Sequence, residues 1–138
     1  MEVISKKNRK PPFVWSQPSF RTKYEEDKYW DLLRKRCHQG YNGLTGRHYA
    51  YLNIGTIKLV TGNQIRPIWR DGDDLVFHED EESRKYNEDL AIIKRREFGL
   101  TSIYGGFEPI YNCLFNPGSI NLLTSADKTR VRSMFSDK

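Results

Sequence analysis

At 138 residues the chain is long enough for one domain with a modest core, and length alone gives no reason to expect two. A composition of 37% hydrophobic and 30% charged residues suits a soluble globular protein, and no apolar run approaches the roughly 18 residues of a membrane span. The formal charge of +5 mildly favours an anionic partner such as nucleic acid or nucleotide phosphate, although a basic tail is more often a solvated end. Lys6, Lys7, Arg9 and Lys10 have no apolar stretch behind them, so the start does not read as a secretory signal and a cytoplasmic location is expected. Cys37 and Cys113 stand far apart without histidine at metal-ligand spacing, which argues against a disulfide framework or a zinc site.

In chain order, residues 1–20 hold Pro11, Pro12, Pro18 and the basic cluster, and read as an extended basic arm. Tyr29, Trp30, Leu32, Leu33 and Cys37 recur at helical spacing and predict a helix from Lys23 to His38, stopped by Gly40. Gly40, Gly43 and Gly46 then break the chain. The aromatic and β-branched stretch from Tyr49 to Val60 is compatible with a strand or with a helix interrupted at Gly55, and ends at the turn signal Thr61-Gly62-Asn63. Residues 21–65 thus form a helix followed by an aromatic and glycine segment.

Pro67 suits a first helical turn, and Ile68, Leu75, Val76 and Phe77 supply one apolar face, which predicts a second helix over 66–78. The acidic residues of 79–88 read as a solvated connection. Leu90-Ala91-Ile92-Ile93 has the form of a short buried parallel strand, and Gly99 opens a helix running to about Leu114. Asn116-Pro117-Gly118 is a turn, Ile120 to Leu123 a further strand, and Ala126 to Phe135 a last helix. Strand, helix, strand, helix is the order of a parallel sheet with right-handed crossovers. The expected class is therefore α/β: an incomplete P-loop NTPase-type parallel sheet with flanking helices over 66–138, preceded by an N-terminal helical and extended segment.

A phosphate-binding loop needs an anchoring strand, a close-approaching glycine, a helix start, a cation and a hydroxyl. In the pattern G-x-x-x-x-G-K-[ST], Gly99 and Thr101 fit, whereas Lys94 replaces the first glycine and Leu100 the lysine. A long lysine side chain at the mouth of the loop can reach the phosphates that the usual lysine neutralises. The run from Lys94 to Ser102 resembles the deviant Walker A of the large subunits of phage DNA-packaging terminases. Tyr29-Trp30, Arg36 to Tyr41 and Thr45 to Asn53 are similar to the N-terminal signature of that family, and Arg66 to Asp71 to the segment it places before the loop, often an adenine-recognition element.

That resemblance implies an ATP-driven DNA translocase in which Lys94 contacts phosphates, Gly99 permits backbone approach and Thr101 holds Mg2+. Arg95 or Arg96 adds phosphate contacts, and Arg66 and Arg70 lie on the adenine side, with a salt bridge to the acids of 71–82 as the simpler role for these two. The implied partners are ATP, double-stranded DNA, a portal protein and a terminase small subunit, in a ring assembly in the host cytoplasm. Neither an Asp-Glu strand end after Thr101 nor a nuclease carboxylate cluster follows, so the expectation is the front part of such a subunit, without useful ATP turnover of its own. The other expectation is a stand-alone, non-catalytic nucleotide- or nucleic-acid-binding module. His38, His48 and His78 show no ligand pattern and read as structural or exposed.

Overall fold

The computed structural model describes residues 16–58, 61–93 and 99–120, excepting the side chain of Lys58. The chain divides into two compact units, Met1–Ile92 and Ile93–Lys138. In the first, helix α1 spans Lys23–Gln39. Thr22 caps it by accepting the Glu25 N–H at 3.2 Å, and the Glu25 carboxylate accepts the Arg21 N–H at 2.9 Å. Glu25 and Glu26 in the first turn and Arg36 and His38 in the last complement the helix dipole. Gly40, at φ +81°, stops the helix as its sequence position predicts; a Cβ there would lie 2.3 Å from the Leu44 carbonyl oxygen.

Tyr41 and Leu44 exchange two backbone hydrogen bonds of 3.1 Å around Asn42 and Gly43, both at positive φ. This is the primed turn that an Asn-Gly pair favours. Helix α2, Gly46–Ile54, follows at once, capped by the Thr45 hydroxyl accepting the His48 N–H at 3.2 Å and closed at Gly55. Of the two readings left open for this stretch, helix interrupted at Gly55 is the one observed. Beyond Gly55, β1 (Ile57–Lys58) pairs antiparallel with β2 (Gln64–Ile65), with Ile57 opposite Ile65. Helix α3 covers Asp71–Tyr86 and ends on Asn87 in the left-handed region, with the Glu88 N–H closing back on Ser83 O at 2.8 Å. The core of this unit is Leu33 and Cys37 of α1, Leu44, Tyr49 to Leu52 of α2, and Val76 and Phe77 of α3.

In the second unit Gly99 leads into a helical run in two windings: a π-helical segment, Thr101–Phe107, and α4, Glu108–Phe115. Pro109 gives the reason for the change. It has no N–H and its ring crowds the carbonyl four residues back, so the preceding turn widens and the Glu108 N–H bonds Ile103 O, five residues earlier. Ile103, Phe107 and Tyr111 form the buried stripe, with Phe107 and Tyr111 rings 5.8 Å apart. Asn116 to Ser119 turn as expected, closed by a 3.1 Å bond.

The structure corrects the expected fold class. Among the described residues there is no parallel sheet; the strands are the two-residue antiparallel pair and the rest is mainly helix. Leu90–Ile93 is irregular rather than a strand, with Ile93 fully exposed. A parallel strand draws its stability from neighbours on both edges and cover on both faces, and the described residues give this segment neither. The helix expected over 66–78 begins later, at Asp71, behind an extended Arg70 and an irregular 66–69, and it continues through the acidic stretch read as a connection. Ile68 and Leu75, assigned to its apolar face, are exposed, while Asp73 and Asp80 are buried. Residues 1–15 of the arm, Leu59 and Val60, the loop 94–98, Leu122 and Leu123 and the helix expected from Ala126 lie outside the described residues.

Gly46 is where α2 crosses the end of α1. A Cβ there would meet the carbonyl oxygens of Cys37 at 2.4 Å and His38 at 2.8 Å, both backbone atoms that cannot swing aside. Gly46→Ala should therefore destabilise the protein by about 1–3 kcal/mol in urea unfolding. Gly106→Ala, with open space around its Cβ, should be neutral or stabilising by up to about 1 kcal/mol.

Candidate functional site

Of the expected phosphate loop, Lys94, Arg95 and Arg96 lie outside the described residues, and the structure describes its later part. Gly99 sits at φ +90°, a backbone conformation strained for any residue with a Cβ. Its carbonyl accepts the N–H of Ser102 at 3.0 Å and of Ile103 at 3.4 Å, so winding starts immediately behind it. Thr101 is exposed on that first turn.

Arg66 and Arg70 belong to the first unit, not to the unit of Gly99 and Thr101. The Arg66 guanidinium donates to the carbonyls of Asn53 at 2.6 Å and Gly55 at 3.4 Å, tying the C-terminal end of α2 to the chain beyond β2. Arg70 makes a two-pronged contact with Asp73, Nε to Oδ2 at 2.8 Å and Nη2 to Oδ1 at 2.7 Å. The salt-bridge role weighed for these arginines is the one observed for Arg70.

The packing of α3 on α2 is more polar than the sequence reading anticipated. Asp80 Oδ2 accepts from Arg84 at 2.7 Å and from Arg47 of α2 at 3.5 Å. Asp74 Oδ1 lies 3.2 Å from His48 Nδ1 and 3.8 Å from His78 Nε2, and His78 donates to the Gly43 carbonyl at 3.0 Å. The His48 ring is fully buried and stacks on Phe77, centroids 4.8 Å apart. Burial pushes the Tyr51 phenol up to about 12, with nearby Asp73 adding to the shift, and raises Asp73 itself while Arg70 pulls it the other way. Asp80 was hidden in a run whose acids look solvated; the legible signal was its spacing of seven from Asp73, which puts those two on one helix face. His48, by contrast, fits the structural role read for it.

Among the described residues no group of three or more His, Cys, Asp and Glu side chains is placed to hold a metal ion, and no helix is long and apolar enough to cross a membrane. No protein-family model, curated protein or solved structure matches the chain.

Asp73 has 1% of its side chain exposed and Arg70 44%. Losing the partner of a fully buried pair costs about 3–5 kcal/mol, and the exposure of Arg70 reduces this. Arg70→Ala is expected to lower the unfolding free energy by about 1–3 kcal/mol. Adding Asp73→Asn, which removes the stranded charge, should recover part of that loss in the same urea titration.

Proposed function

We propose that the chain is the front portion of a DNA-packaging terminase large subunit and that its Lys94 to Thr101 segment contacts the phosphates of ATP. The observation that carries this reading is the left-handed Gly99 leading directly into a helical turn with Thr101 exposed on it, at the spacing from Lys94 that the deviant loop requires. The segment expected to anchor the loop, Leu90–Ile93, is irregular and not a strand, so the support comes from the loop pattern and the helix start.

In this reading Lys94 supplies positive charge to the phosphates, Gly99 keeps the backbone free of a Cβ beside them, and Thr101 offers its hydroxyl to Mg2+. Bound Mg-ATP would bring the phosphoanhydride whose cleavage drives translocation. Double-stranded DNA, a portal protein, a terminase small subunit and a ring of subunits complete the proposal. A second reading, a non-catalytic nucleotide- or nucleic-acid-binding module, is favoured by one specific observation: among the described residues the first unit has its own helical core and internal polar contacts.

The test is calorimetric titration of the full chain with Mg-ATP. Lys94→Ala and Gly99→Val should each weaken binding about tenfold or more, a loss of about 1.4 kcal/mol. Undiminished affinity in Lys94→Ala removes the phosphate role from that residue. Absence of ATP binding by the wild type, with retained affinity for single- or double-stranded DNA, would favour the second reading.

A further inference from the structure

His48 is the basic side chain of α2 that is wholly enclosed. Asp74 facing it is a carboxylate that accepts only, so neutral His48 must donate from Nδ1, and Nε2 is then a bare lone pair. That atom is buried and has no hydrogen-bond partner. A proton added at Nε2 would create a cation and a donor with no acceptor, on a buried ring stacked against Phe77.

We infer that the His48–Asp74 contact is an acid-released latch holding α3 on α2. The surrounding charges decide whether protonation tightens or opens it. From α3, Asp74 attracts an imidazolium, but the same carboxylate oxygen also lies 3.8 Å from His78 Nε2. Arg47, next to His48 on α2, adds positive charge, and Asp80, which balances it, is shared with Arg84. From α1, Arg36 lies over the Tyr41 ring at 3.7 Å and donates to the Tyr49 hydroxyl at 3.4 Å, so it offers His48 no acceptor. Thr45 is committed to the His48 backbone N–H.

Burial outweighs the pull of Asp74 and lowers His48 to about 4 from its ordinary 6.5. The unfolded chain therefore takes up this proton first as pH falls. The latch is fully closed above about pH 6.5, weakens steadily as pH falls toward about 4, and loses nothing further below that.

Hydrogen exchange on the full chain tests this, with protection factors corrected for intrinsic rates. Amides of α2 and α3 should lose about tenfold or more of their protection between about pH 7 and about pH 5. His78→Gln should keep that loss, whereas His48→Gln should abolish it. Protection that does not change with pH in the wild type, or a slope that survives in His48→Gln, overturns the inference. Should His48→Gln fail to fold, the imidazole NMR titration of the wild type decides alone. A His48 ring that stays neutral until α3 protection is lost upholds the latch; one that titrates near 6.5 with α3 still protected refutes it.

Discussion

The first unit depends on the enclosure of α2. Nine residues are too few for a helix to persist in water by itself, yet from His48 to Asn53 every residue of α2 is buried. The helix exists because its neighbours close over it. On one side α1 approaches so near that only a glycine fits at residue 46, and backbone lies almost on backbone. On another side α3 contributes Phe77 and Val76, with carboxylates for the basic and imidazole groups that α2 brings inside. Arg66 closes the end by binding two carbonyls around Gly55. Each contact limits where the next element can lie, so the turn at Asn42-Gly43 and the cap at Thr45 have to be as short as they are.

Features written locally were legible in the sequence. Thr22 and Gly40 bound α1 within a residue or so of the expected limits because caps and stops act over one turn. Gly55 ended a helix as glycine does, and Gly99 began one. The parallel sheet was a different kind of inference. Leu90 to Ile93 has the composition of a buried strand, but a strand is made by what pairs with it, and apolar content carries no information about pairing. The acidic stretch of α3 was misread for a related reason. Seen one residue at a time, Asp73 and Asp80 are solvated acids; only their shared face, and for Asp80 the Arg47 guanidinium of α2 far away in sequence, mark them as interior residues. Arg70 shows the reverse, since Asp73 lies three positions on and the pairing could be weighed from spacing alone.

The candidate phosphate segment divides along the same line. Its glycine conformation and the winding behind it are local properties. A cradle around a nucleotide is a non-local property, to which strand, loop and adenine side must contribute together. Arg66 and Arg70 are already engaged in holding the first unit together, so any part they play in nucleotide recognition would have to coexist with those bonds.

The widened turn before Pro109 has a consequence for how this chain can vary. A π-helical turn is an α-helix that has taken in an extra residue without breaking. Between Gly99 and Pro109 the chain holds such slack, which lets the loop end of the helix be lengthened or shortened by a residue while the Phe107–Tyr111 stripe keeps its seat. Relatives of this protein can thus be expected to differ in register at this point, with the face that carries Thr101 rotating about the helix axis while the aromatic stripe stays fixed.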